Sequence, residues 1–234
     1  TFAGAEAGDF EIDGGLKGNI YPFRRYRKSP LTLSARVRTT LLTPDWYQQH
    51  MYTNHFRWDE KFAKASDTRV NFTLDIPHWK LLADISYGLF ANTVYYDATG
   101  NPRQSSAAVN LISASLMKNF KFGPVHLDNR VLVQYSSNHT VMPLPLLALN
   151  LRWYVQFWVV KQVMEMQIGA NGTYTTKWLA PGYNPEVGVF YNQQSNYYGG
   201  CPYLDAFINI QWKKACIFLK VVNVNQGWPM KDRD

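Results

Sequence analysis

LNLRWYVQFWVVKQVMEMQIGANGTYTTKW, Leu149 to Trp178, is rich in large apolar side chains, yet Asn, Arg, Gln, Glu and Lys are threaded through it. Alternate residues separate the two kinds. Leu149, Leu151, Trp153, Val155, Phe157 and Val159 form one set; Asn150, Arg152, Tyr154, Gln156, Trp158 and Val160 form the other, polar for most of its length. A period of two is that of a strand. A helical reading would put Leu149, Arg152 and Gln156 on one face, which makes no core stripe. After Lys161-Gln162 the alternation restarts, with Met164, Met166, Ile168, Ala170 and Tyr174 opposing Glu165, Gln167, Asn171 and Thr173, and Val163 breaking it at the turn. The stretch predicts a hairpin of two long strands. Each arm exceeds the usual strand of about 5–6 residues and suits a tilted membrane-crossing strand of about 9–11.

The composition fits such a wall. Aromatic residues make up 15% of the 234, and charged residues 18%, below the usual share of about 25%. No apolar run of about 18 residues could cross a bilayer as a helix; barrels escape that test because half their residues face water. The net charge of +7 points to anionic partners such as lipid phosphate or solutes. The basic run Arg24-Arg25-Tyr26-Arg27-Lys28 reads as a solvated turn, and no nucleic-acid motif accompanies it. Two cysteines, Cys201 and Cys216, make neither a disulfide framework nor a metal knuckle, and are expected to be free thiols.

The same alternation recurs in Leu31–Thr43, Thr68–Ile76, Lys80–Tyr96, Val125–Gln134, Leu204–Gln211 and Ala215–Val221; Gln104–Lys118 reads as a strand with poorly separated faces. No helix pattern competes, so the chain is expected to be all-β, an antiparallel up-and-down transmembrane barrel with about ten strands present in a single domain. The connections alternate between short (Pro77-His78-Trp79, Asn119–Gly123, Val160-Lys161-Gln162, Trp212-Lys213-Lys214) and long (Asp97–Arg103, Ser137–Leu147, Lys177–Pro202, Asn225 onward). A meander through a membrane sorts its connections this way. Trp46, Tyr47, Trp79, Tyr95, Tyr96, Phe120, Phe122, Trp178, Tyr183 and Trp212 are expected to form interfacial girdles.

Little in the sequence carries covalent chemistry. His126, Asp128, Ser136, Ser137 and His139 are the materials of a hydrolase, but no Gly-x-Ser-x-Gly elbow accompanies them. The five histidines show no metal spacing, and Asp45, Asp59 and Glu60 read as solvated loop carboxylates. Gly14-Gly15-Leu16-Lys17-Gly18 lacks the spacing of a phosphate loop and reads as glycines at a barrel bend. No catalytic residue, metal or cofactor is expected.

NHFRWDE (Asn54–Glu60), KNFKFGPVHLDNRVLVQ (Lys118–Gln134), APGYNPEVGVFYNQ (Ala180–Gln193) and YLDAFINIQWKKACIFLKVVNVNQGWP (Tyr203–Pro229) resemble the putative porin family of Bacteroidota outer membranes. The resemblance runs along most of the chain and rests on strand and turn signatures. It implies an outer-membrane barrel, with outer-membrane lipid and lipopolysaccharide around it and other outer-membrane proteins as further partners. Members of that family carry more barrel at both ends, so this chain is expected to be a C-terminal portion of a larger barrel.

Alternation then assigns two surfaces. Leu149, Leu151, Trp153, Val155, Phe157, Val159, Met164, Met166 and Ile168 are expected to meet lipid. Arg36, Arg38, Arg69, Asp75, Lys80, Asp84, Asp128, Arg130, Arg152, Glu165, Asp205 and Lys220 are expected to line the lumen, with a slight basic excess that leans toward anions. The expected function is passive diffusion of small polar solutes; the alternative is a non-conducting barrel that serves as a scaffold or subunit.

Overall fold

The computed structural model describes residues 6–22 and 29–227; the basic run Arg24–Lys28 and the closing residues 228–234 lie outside them. Ten antiparallel strands form one sheet in the order β1 (Phe10–Ile20), β2 (Leu31–Leu42), β5 (Ala65–Ile76), β6 (Leu81–Ala91), β9 (Val109–Phe122), β10 (Val125–Ser136), β11 (Leu147–Val160), β12 (Met164–Thr175), β15 (Tyr203–Trp212) and β16 (Ala215–Val221). Sheet neighbours are chain neighbours, as in an up-and-down meander. Strands β1 and β16 are its edges and do not pair with each other.

Register makes two faces out of the alternation. Leu16, Ala35, Phe72, Ile85, Ala114, Val133 and Leu147 stand in one row across seven strands. Phe122, Val125, Val155, Ile168, Ile208 and Leu219 form a second row on the same face. These side chains are not packed away: Leu16 is 81% exposed, Ile85 58% and Leu219 61%. An apolar face of this extent is stable only against an apolar medium or partner. No described helix is long and apolar enough to cross a membrane.

Strand β1 departs from the sequence reading. The Gly14–Gly18 segment is not a bend; it pairs with β2 residue for residue from Phe10 to Ile20 without a bulge. Gly14 and Gly18 fall on the apolar face in open space, where their missing side chains break the stripe of Phe10, Ile12, Leu16 and Ile20. Strand β9 begins at Val109 rather than Gln104. Its faces look mixed because Val109 and Leu111, on the polar face, pack with Phe90 under Val141 and Met142 of connection 137–146.

The short turns lie at one end of the sheet. Gly123 (φ 59°) and Gln162 (φ 60°) supply the left-handed residues that two of them require. The long connections lie at the other end and are ordered. Connection 43–64 carries the helical turn α1 (Trp46–Gln49) and the hairpin β3 (His50–Tyr52)–β4 (Arg57–Asp59); β7 (Val94–Tyr96) pairs β8 (Pro102–Gln104); β13 (Gly182–Asn184) pairs β14 (Val189–Tyr191). Six of the ten expected girdle rings, Trp46, Tyr47, Tyr95, Tyr96, Trp178 and Tyr183, therefore belong to this end layer, while Phe120, Phe122 and Trp212 stand on the apolar face beside the short turns. Residue type alone does not distinguish a ring at a strand end from one in an ordered loop.

Hydrogen bonds knit the long connections together. Asn192 Nδ2 donates to the carbonyls of Thr140 (2.7 Å) and Val141 (2.9 Å), and its backbone N–H to that of Tyr96 (2.8 Å). Gln104 and Ala63 exchange two bonds, of 2.7 and 3.0 Å. Glu186 accepts from Thr53 Oγ1 (2.9 Å) and from the His55 backbone N–H (3.3 Å), and its carboxylate lies 3.0 Å from His55 Nδ1. Burial pushes the Glu186 carboxyl up, but the bonds from Thr53 and His55 outweigh it and hold it below its ordinary value.

A depressed carboxyl contributes its stability above its unfolded value and loses it as pH falls through the folded one. Acidification below the ordinary glutamate range, near pKa about 4.3, should therefore release β13–β14 from connection 43–64. Spin labels at Tyr52 and Pro185, in a chain with Cys201 and Cys216 replaced by serine, should broaden in separation at that pH, and Glu186→Ala should show the broad distribution at neutral pH. A second test concerns Gly169, where an added Cβ would sit 2.4 Å from the Trp153 carbonyl oxygen and 2.5 Å from Tyr154 Cβ. Gly169→Val should destabilise the folded barrel by about 1–3 kcal/mol in denaturant titration, whereas Gly14→Val, with nothing within 4 Å, should be tolerated.

Candidate functional site

The polar face of the sheet gathers the charged residues that alternation singled out. Arg36 and Arg38 on β2, Arg69 and Asp75 on β5, Asp84 on β6, Asp128 and Arg130 on β10, Arg152 on β11, Glu165 on β12, Asp205 on β15 and Lys220 on β16 share it by register. Lys80 does not. It follows the 3-10 turn Pro77–Trp79 in a left-handed conformation (φ 48°), outside the strand whose alternation it was counted in. The nine apolar candidates fall on the opposite face, except that Val159 sits in a bulge where the register shifts between Trp158 and Val160.

The structure adds Glu11, Asp13 and Lys17 from β1, Asp67 from β5 and Lys121 from β9 to the polar face. The basic excess then disappears. The described face carries eight cations (Lys17, Arg36, Arg38, Arg69, Lys121, Arg130, Arg152, Lys220) and eight carboxylates (Glu11, Asp13, Asp67, Asp75, Asp84, Asp128, Glu165, Asp205). Strand β1 (two acids and one lysine), Asp67 and the loss of Lys80 each remove one positive charge, and Lys121 restores one.

Half of these charges are paired side by side. Arg36 forks onto Asp13, with Nε to Oδ1 at 2.8 Å. Arg38 meets Glu11 at 3.1 Å, Arg69 meets Asp67 at 2.6 Å, and Lys220 meets Asp205 at 2.7 Å. Such exposed pairs are worth about 0–1 kcal/mol each, so they arrange charge more than they stabilise the sheet.

The charges outside ion pairs are Lys17, Lys121, Arg130 and Arg152 against Asp75, Asp84, Asp128 and Glu165, four of each sign among the described residues. Asp75 and Asp84 lie on β5 and β6, and Thr73 Oγ1 donates to Asp84 at 2.6 Å. Lys121, Arg130 and Arg152 lie on β9 to β11, with Asp128 among them. Asp75, Leu82, Met117 and Arg130 occupy one register row, so the Asp75 and Arg130 backbones stand roughly 14 Å apart, three interstrand spacings.

Arg152 is held by rings rather than by a carboxylate. Its guanidinium carbon lies 5.2 Å from the Tyr154 centroid and 5.0 Å from that of Phe207, and His126 stacks on the other side of the network at 4.7 Å from Tyr154. Gly169, between Tyr154 and Phe207 in register, leaves room for both rings. Beside this shelf runs an amide ladder. Gln156 Nε2 donates to Glu165 (2.6 Å), Gln167 Nε2 to Gln156 (3.2 Å) and Asn209 Nδ2 to Gln167 (3.0 Å).

The hydrolase candidates do not assemble. Ser136 Oγ donates to the Asn138 carbonyl, Ser137 Oγ accepts from the Asn110 N–H, His139 packs edge-on to Tyr135, and His126 is in the Tyr154 stack. Among the described residues no group of three His, Cys, Asp or Glu could hold a metal; Asp59 instead lies 2.6 Å from His50 Nδ1. Cys201 and Cys216 are free thiols.

Comparison with known proteins agrees with this architecture. The chain superposes, with TM-score 0.57 and 12% identity, on a mutant of the ferric enterobactin receptor of Pseudomonas aeruginosa in complex with enterobactin, over 91% of this chain and 35% of that one. The ferric enterobactin receptor in complex with BCV-L6 gives the same values. The likeness is one of fold, that of outer-membrane receptor barrels, and the chain spans about a third of their length. No curated protein matches. The family model described as putative porin matches residues 1–233, and the chain belongs to that family.

Proposed function

We propose that the chain forms the wall of an outer-membrane channel for passive diffusion of small polar solutes, with no covalent chemistry. The apolar face meets lipid and the hydrocarbon of lipopolysaccharide; the polar face lines the lumen. The observation that carries this reading is the polar face itself. Its hydrogen-bonding and charged side chains extend over ten strands, with Asp75 and Asp84 on β5–β6, Lys121, Arg130 and Arg152 on β9–β11, and Asp128 opposite Arg152 in register. A wall of this kind holds water and sets a field across it, which is how a wide barrel discriminates among solutes.

A second reading, a non-conducting scaffold or subunit, is favoured by one feature. Connection 137–146 folds onto the polar face, with Val141 against Phe90 and Val109, and the four long connections are bonded to one another.

Planar-bilayer conductance separates the two. The full-length protein should conduct, and Arg130→Glu with Arg152→Glu should shift its ion preference toward cations, since neither arginine is tied to a carboxylate. Arg36→Glu should shift it in the same direction, since it also leaves Asp13 without its counter-charge. Absence of conductance from a folded barrel would discard the channel and leave the scaffold.

A further inference from the structure

At the end of the sheet that carries the long connections, three of them border an open pocket of about 810 Å³, within the span of roughly 300–1,000 Å³ usual for small-molecule sites. Its rings come from separate segments: Trp46 and Tyr47 from α1, Tyr96 from β7 and Phe190 from β14. Trp46 is 62% exposed, and Tyr47 and Phe190 are each 67% exposed, so packing does not account for these rings. The Tyr96 hydroxyl has no hydrogen-bond partner among the described residues. The one charged group in the wall is Asp45, which makes no ion pair among the described residues.

These features point to one kind of ligand. Aromatic faces carry negative charge density, and a carboxylate beside them adds a full charge, so the cavity is apolar in contact and negative in potential. Burial, and then the nearby Asp45 carboxylate, raise the Tyr96 phenol above its ordinary value. An anion is repelled. A neutral sugar could stack on the rings but would leave Asp45 without a counter-charge. The bonds of Glu186 to Thr53 and His55 hold the segments bearing the rings in place beforehand, which lowers the cost of ordering them on binding.

We propose that this cavity binds a small organic cation, a quaternary or protonated alkyl amine, with its charge beside Asp45 and its alkyl groups against Trp46, Tyr47, Tyr96 and Phe190. The site is independent of whether the lumen conducts.

Choline is the probe, titrated calorimetrically into the full chain folded in detergent, beside 3,3-dimethylbutan-1-ol, which has the same shape without the charge, and glucose. Choline should bind saturably, and the neutral isostere at least tenfold more weakly. Asp45→Asn, which keeps a side chain suited to the start of α1, should weaken choline at least tenfold, as should Trp46→Leu at its exposed position. No choline binding, equal binding of the isostere, tighter binding of glucose, or unchanged affinity in a folded Asp45→Asn chain would each overturn the assignment.

Discussion

The ladder of backbone hydrogen bonds between antiparallel neighbours governs everything else in this protein. In an apolar medium each unpaired N–H or C=O costs several kcal/mol, so a membrane-crossing strand must be bonded on both sides along its length. Nine successive strand pairs meet that demand for the eight inner strands with nearly continuous register, the shift at Trp158–Val160 being the one irregularity in the ladder between β11 and β12, while β1 and β16 are bonded on one side. Because side chains alternate with a period of two, a slip of one residue would exchange the two faces of a strand. The apolar rows and the charged face are thus one constraint seen from two sides.

Rigid strands position the polar face with little help from its charges. Asp13–Arg36 and Glu11–Arg38 lie on neighbouring strands fixed by the ladder, so their ion pairs follow from register. The shelf under Arg152 needs more. It depends on Gly169, whose absent side chain lets Tyr154 and Phe207 share one site across three strands. Stacking leaves the guanidinium N–H groups without a carboxylate partner, whereas an ion pair would occupy them.

The two ends of the sheet answer to different physics. At one end, tight turns need only a left-handed residue. At the other, the connections fold onto each other through side-chain-to-backbone bonds from Asn192, Gln104 and Glu186. Trp58 is 6% exposed there, and its ring lies 6.1 Å from that of Tyr96 across two connections. Contacts between segments so far apart in the chain leave no periodic trace in sequence.

By itself the sequence determined the strand class, the turn pattern and the facing of Leu149–Ile168, because a two-residue period is a local property that composition writes directly. It also placed Arg36, Arg152 and Asp205 on one surface, since alternation carries across any in-register pair. It missed β1, where Gly14 and Gly18 erase the apolar stripe, and with Asp67 left out and Lys80 counted in, it mistook the charge balance of the polar face. It took Lys80 for a strand residue, because a 3-10 turn can prolong the alternation by one position. Only the tertiary structure decided which charges pair, how Arg152 is held, and that Trp46, Tyr96 and Phe190 meet around Asp45. Those outcomes depend on distance between segments remote in sequence, and the register and the loop bonds fix that distance where no local pattern can.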